Sequence, residues 1–173
     1  MSFVLDNIVG TVNILIYAKN LKNLEKFLYF STDEVFGPAP KRIRYKENDR
    51  YKSGNPYAAS KAGGEEMCMA FHNTYNMPIL ITHTMNVIGE RQHPEKFVPV
   101  IINHLLKQKT ITIHSNRKKT KAGSRFYIHA QDVADAVFFI LIKGKIGEKY
   151  NIVGSQEIDN LQLAQIIAKI LNK

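Results

Sequence analysis

An α/β domain built on a parallel sheet is the fold class this sequence predicts, and three observations predict it. Short, strongly apolar runs alternate with longer amphipathic stretches, as strands alternate with helices in such folds. The first of these runs, Lys-Phe-Leu-Tyr-Phe-Ser at 26–31, is apolar enough for a strand buried on both faces. Two carboxylates then follow at its carboxyl end, where open α/β sheets bind their ligands. With 173 residues and 45% apolar content, the chain is long enough for a well-buried core.

Each element has its own warrant. Over 2–20, Leu5, Ile8, Val9, Val12, Leu15 and Ile16 recur at helical spacing, and Lys19 and Lys22 close the run. After the strand at 26–31, residues 37–54 are rich in proline, glycine and charge and read as a surface excursion. Asn55-Pro56 supplies a cap followed by a proline at the first helical position, opening a helix over 56–75. Gly63 and Gly64 lower its helix propensity, which predicts a close approach at that turn. A strand at 79–82 leads into a loop at 83–95 and a helix over 97–107. Strands at 111–114 and 125–128 flank a basic loop, a helix covers 131–143, a strand 149–153, and an amphipathic helix closes the sequence at 160–171.

The 24 basic and 15 acidic residues leave a net charge of +9. No DNA- or RNA-binding signature accompanies it, so the charge suits an anionic small substrate, and no nucleic-acid partner is expected. Its densest run, Arg117-Lys118-Lys119-Thr120-Lys121, reads as a solvated loop. No apolar run approaches the ~20 residues of a membrane span, and no basic-then-apolar signal pattern opens the chain. The single cysteine, Cys68, lies in an apolar helical stretch and reads as a core residue in a reducing cytoplasm.

Two segments carry the chemistry. Ser31-Thr32-Asp33-Glu34-Val35-Phe36-Gly37 ends the first strand, and Pro56-Tyr57-Ala58-Ala59-Ser60-Lys61 opens the next helix. Tyr57 and Lys61 are four residues apart and share a helix face. A hydroxyl, two carboxylates, a phenol and an ammonium suit an enzyme that moves protons between groups of different acidity. The competing reading makes Asp33 and Glu34 ordinary turn acids after a strand.

In these segments the sequence resembles the extended short-chain dehydrogenase/reductase superfamily, and within it the nucleotide-sugar 4,6-dehydratases. Further matching pieces are Asn7-Ile8-Val9-Gly10-Thr11, Asn86 through Gly89, Pro94-Glu95-Lys96-Phe97-Val98-Pro99, 125–132 and Tyr150-Asn151-Ile152-Val153-Gly154. The resemblance implies part of a Rossmann-type parallel sheet with flanking helices plus part of a small C-terminal lobe. Residues 1–95 would be the C-terminal half of the NAD-binding domain, and 96–173 a substrate-binding lobe interleaved with the last sheet elements.

The same resemblance implies NAD as cofactor, no metal, and a nucleotide-diphosphate sugar as substrate, dTDP-glucose first, with UDP-glucose and GDP-mannose as rivals. It makes Tyr57 the base that takes the sugar 4-hydroxyl proton, with Lys61 beside it to favour the ionised phenol. Both would also hold the cofactor. Thr32 would hydrogen-bond the same sugar oxygen, Glu34 would remove the C5 proton, and Asp33 would protonate the departing 6-hydroxyl. Asn86 would lie near the diphosphate, and Lys96 and Arg125 near the nucleotide or its phosphates. Asn151 is either a further substrate contact or a strand-end residue satisfying the backbone. The family pattern also implies a homodimer through the helices at 2–20 and 56–75, and a place in polysaccharide or deoxysugar synthesis.

The sequence departs from the family pattern in four places. No Gly-x-Gly-x-x-Gly turn is present, and both ends look short, so the chain is expected to be a fragment of a longer enzyme. His83 stands where the dehydratases usually have asparagine or arginine, and 115–124 replaces a short turn with a longer basic loop. Two alternatives stay open: a nucleotide-sugar 4-epimerase, which needs Tyr57 and Lys61 but neither carboxylate, and a non-catalytic remnant acting as a dimerisation module.

Overall fold

The computed structural model describes residues 2–40, 43–118, 120 and 122–173. One helical stretch opens the chain, assembled from α1 (Ser2–Val4), a π-helical segment (Leu5–Val9) and α2 (Gly10–Lys19). Next come β1 (Phe27–Thr32), a 3₁₀ turn (Asp33–Phe36), α3 (Pro56–Tyr75), β2 (Ile79–Thr84) and β3 (Asn86–Ile88). The remainder forms α4 (Phe97–Leu106), β4 (Ser124–His129), α5 (Ala130–Lys143), β5 (Lys149–Ile152), β6 (Glu157–Asp159) and α6 (Asn160–Ile170).

These elements fall into two compact units. The first takes the residues up to Thr84 together with Ala134–Ile152, and the second takes Met85–Val133 with Val153–Lys173.

In the first unit β2 is the middle strand of a parallel sheet ordered β1-β2-β5. Five of its six residues are buried, which explains why its sequence runs apolar without alternation. The register places Ser31 opposite His83, and His83 opposite Asn151, in one row across the sheet. Leu15 of α2, Cys68 and Phe71 of α3 and Ile79 and Ile81 of β2 form the core. Cys68 is a core residue as expected, its thiol pushed up to about 12 by burial first and by the charge of Glu65 second.

Helix α3 begins where the sequence predicts. The Asn55 side chain accepts the Ala58 amide at 2.8 Å and Pro56 takes the first turn, while Asn76 ends the helix in the left-handed region at φ 54°. The close approach predicted at Gly63 and Gly64 is met by the opening helix. A Cβ on Gly64 would stand 2.6 Å from the Asn7 carbonyl oxygen and against the Tyr29 hydroxyl, and one on Gly63 would meet the Ile8 Cδ1 at 2.8 Å. The π-helical segment carries both Asn7 and Ile8, and the Asn7 amide donates to the Ser60 hydroxyl at 3.0 Å.

The end of α5 is tied to the segment before β1. The Lys26 ammonium donates to the carbonyls of Leu141 at 2.6 Å, Ile142 at 3.3 Å and Gly144 at 3.3 Å, a cation on the negative end of a helix.

In the second unit β4 lies between β3, which it pairs in parallel, and β6, which it pairs antiparallel. Helices α4 and α6 pack together. The strand expected at 111–114 does not form. Among the described residues that stretch has only a single bridge next to it, Ser115 to Ala122, and without a ladder to a neighbouring strand its apolar pattern alone does not make one. Conversely β3 and β6, three residues each, are strands where the sequence suggested loop. Lys119 and Lys121 of the basic run lie outside the described residues. Among the described residues no helix is long and apolar enough to cross a membrane.

Candidate active site

The site is built where β1 ends. Thr32, itself buried, leaves the strand in extended conformation and caps the 3₁₀ turn, its hydroxyl accepting the Glu34 amide at 3.3 Å. The same hydroxyl lies 3.4 Å from the Asp33 carboxylate. Gly37 closes the turn at φ 73°, and a Cβ there would overlap the Lys52 carbonyl oxygen, so only glycine fits. Lys52 in turn donates its amide to the Val35 carbonyl at 2.9 Å, fastening the surface excursion to the turn.

Asn55 joins this turn to α3. While its carbonyl oxygen caps the helix, its amide donates to the Glu34 carboxylate at 2.8 Å. From local pattern Asn55 reads only as a cap. Its second bond depends on the 3₁₀ turn standing beside the helix start, which no local pattern shows.

Tyr57 sits half-buried in the first turn of α3, with the Phe3 ring edge-on at 5.7 Å between centroids. Burial raises its phenol above the ordinary value, and the charges of Glu34 and then Asp33 raise it further. The lowering expected from Lys61 therefore does not prevail. Lys61 is one turn along, but its ammonium lies 4.3 Å over the Tyr29 ring rather than on the phenol. Burial lowers the Lys61 ammonium, against a raising influence from Glu65 and then Cys68.

A second polar cluster lies deeper on the same helix face, and the sequence analysis did not single out its centre. Glu65 is fully buried, four residues beyond Lys61. Its carboxylate accepts the hydroxyls of Ser31 and Tyr51, faces His83 Nε2 at 3.1 Å and lies 3.6 Å from the Lys149 ammonium. Lys149 also donates to the Tyr51 hydroxyl at 2.5 Å. Burial alone would push the Glu65 carboxyl up, but the hydrogen bond and charge of His83, with the Ser31 and Tyr51 hydroxyls, outweigh it and hold it below the usual carboxylate range. The Phe36 ring packs on Tyr45, Tyr51 and His83 and walls the cluster.

The first unit thus sets Thr32, Asp33 and Glu34 at the end of β1 beside the helix start that carries Tyr57, with Lys61 one turn along over the Tyr29 ring. Asn151 is in the same unit, but its carbonyl oxygen lies 3.0 Å from His83 Nδ1 and its amide donates to the Tyr45 carbonyl at 3.3 Å. The remaining three expected binding residues belong to the second unit. Asn86 opens β3, Lys96 is the exposed residue capping α4, and Arg125 is exposed on β4 with its guanidinium on the Ser124 carbonyl at 2.8 Å.

A parallel strand ending at Thr32, followed by Asp33 and Glu34 and lying beside a helix that bears Tyr57 and Lys61, puts these groups at the strand end where open α/β sheets bind their ligands. This chain belongs to the NAD dependent epimerase/dehydratase family, which matches residues 2–153. It is 39% identical over 180 residues to the dTDP-D-glucose 4,6-dehydratase of Dictyostelium discoideum, covering 98% of this chain and 40% of that protein. Among solved structures, the dTDP-glucose 4,6-dehydratase of Streptomyces venezuelae with NAD bound matches at a TM-score of 0.91 and 31% identity, over 99% of this chain and 52% of that one. The UDP-glucuronic acid 4-epimerase of Bacillus cereus in complex with UDP-glucuronic acid and NAD matches at 0.89 and 29%, over 98% and 52%. The chain spans about half the length of the relatives it matches.

Proposed function

We propose that the chain carries the catalytic half of a nucleotide-sugar 4,6-dehydratase, converting an NDP-hexose, dTDP-glucose first, to its 4-keto-6-deoxy derivative. One observation carries the reading: Asp33 and Glu34 follow directly on the end of β1, and Asn55 joins the Glu34 carboxylate to the first turn of α3, which bears Tyr57. Tyr57 and Lys61 fit the reactive end of NAD, whereas the glycine-rich turn that receives its pyrophosphate is absent from this sequence. When bound, NAD would supply the hydride acceptor for sugar C4 and, once reduced, the hydride donor for C6.

The side chains of this chain handle the protons. Tyr57 takes the proton of the 4-hydroxyl, whose oxygen Thr32 also holds. The resulting ketone acidifies C5, from which Glu34 removes the proton while Asp33 protonates the 6-hydroxyl that leaves as water. Burial first, then the charges of Glu34 and Asp33, hold the free phenol above its ordinary value and oppose its ionisation. Asp33 must be protonated to act as the acid, and protonating it removes one of the two charges that keep Tyr57 a neutral phenol. Asn86, Lys96 and Arg125 of the second unit hold the nucleotide diphosphate.

The test is incubation of the purified chain with NAD and dTDP-glucose, with mass spectrometry for a sugar nucleotide lighter by one water. Its formation supports the dehydratase. An unchanged mass with a new 4-epimer favours the epimerase reading, which the similarity to the Bacillus cereus enzyme keeps in view. Activity that survives Asp33→Asn with Glu34→Gln points the same way.

We also place the protein in the cytoplasm, in polysaccharide or deoxysugar synthesis, as a homodimer. The dimer reading is supported by the exposed apolar side chains of the opening helical stretch, Val4, Leu5, Ile14, Ile16 and Tyr17. Sedimentation of a monomer at micromolar concentration would remove that support.

A further inference from the structure

We propose that Glu65 is a positioning residue that fixes the strand end carrying Thr32, Asp33 and Glu34 against the helix face carrying Tyr57 and Lys61. The proposal rests on the reading of those five residues as the catalytic machinery. Glu65 has no access to solvent and so meets no substrate, yet it is the point at which separate pieces of the first unit converge. Ser31 comes from β1, Tyr51 from the surface excursion, His83 from β2 and Lys149 from β5, and all of them reach its carboxylate.

Two of these connections bear directly on the site. Ser31 is the residue before Thr32, so the bond that holds Ser31 sets where Thr32 and the turn it caps begin. On α3, Glu65 lies one turn beyond Lys61 and two beyond Tyr57, on the same face. A buried carboxylate stripped of its donors is costly, so each partner is held in place by the same charge. That charge also acts on Lys61, where it opposes the lowering caused by burial.

A purely packing role would affect folding alone, whereas a positioning role reaches Lys61 and the turn. The experiment titrates Lys61 by NMR in the 173-residue chain labelled with ε-13C-lysine, the resonance being assigned with Lys61→Arg. In Glu65→Gln the Lys61 midpoint is expected to fall, and the Glu34 amide, bonded to Thr32, to exchange faster with solvent. A folded Glu65→Gln chain whose Lys61 midpoint matches wild type overturns the proposal. Should that variant not fold, Glu65→Asp keeps the charge but withdraws it by one methylene. Faster Glu34 exchange in it supports the proposal, and wild-type exchange overturns it.

Turnover separates this proposal from the functional reading. If the wild-type chain forms the 4-keto product, Glu65→Gln is expected to lower kcat by about tenfold to a hundredfold with KM little changed. A wild-type chain without turnover counts against the proposed function, and the Lys61 titration still decides the role of Glu65.

Discussion

Helix α3 shows two polar neighbourhoods on one face, arranged in opposite ways. Around Glu65 two hydroxyls donate to one carboxylate that also faces His83 Nε2 and the Lys149 ammonium, and the other ring nitrogen of His83 lies against Asn151. Two turns toward the helix start, no hydrogen bond from the described residues reaches the Tyr57 hydroxyl or the Lys61 ammonium, and the acids beside them make the phenol harder to ionise. Saturated partners fix a group in place, while groups with few partners keep the capacity to bind and exchange protons with a ligand. On the proposed reading, position comes from the inner cluster and chemistry from the outer one.

The strongest way to break this contrast is to empty the inner cluster. Glu65→Ala leaves His83, Lys149 and two hydroxyls facing a void, and is expected to cost about 3–5 kcal/mol in denaturant unfolding. A loss below about 1 kcal/mol would mean that the cluster does not hold the unit together.

On the outer side, Tyr57→Phe is expected to lower turnover by about 10²–10⁴-fold, while the unfolding midpoint stays near wild type. If turnover persisted, the phenol would not be the base.

A smaller effect tests how the opening helix meets this face. Gly64→Ala drives a methyl toward the Asn7 carbonyl and is expected to destabilise by about 1–3 kcal/mol. Gly63→Ala, whose methyl meets only the flexible end of Ile8, should cost less, and equal losses would contradict the packing described.

The two neighbourhoods also separate along the pH axis. Glu65 is depressed in the folded chain, so its contribution to stability is complete above the unfolded carboxylate value of about 4.3 and fades as pH falls through the folded value. Tyr57 is raised, so its contribution is complete below about 10 and fades as pH climbs past that. As pH falls below about 4.3 the unfolding free energy of wild type should therefore drop more steeply than that of Glu65→Gln, which lacks this titration, and equal slopes in the two would contradict the depressed Glu65 carboxyl.

Much of this architecture could be read from local pattern. Asn55-Pro56 marks the start of α3, the apolar run before Ser31 marks β1, and Gly63-Gly64 marks a contact that Asn7 and Ile8 make. The spacing of Tyr57 and Lys61 places them on one face. What escaped the pattern was long-range. Glu65 looks like any helical glutamate until β1, β2 and β5 bring Ser31, His83 and Lys149 around it. His83 stood out only as a departure, without the reason that its two ring nitrogens lie against Glu65 and Asn151. β3 and β6 are too short for any period, and the apolar spacing at 111–114 resembles a strand but pairs with none.

The interleaving of the two units has a consequence for synthesis. A chain leaving the ribosome delivers β1, α3 and β2 early, so Ser31, Tyr51, Glu65 and His83 can meet at once. Lys149 arrives only after the whole stretch from Met85 to Val133 has emerged. During that delay the newborn sheet lacks its third strand and the interior acid lacks its lysine. A nascent chain arrested between those points should therefore be the form most open to proteases and chaperones.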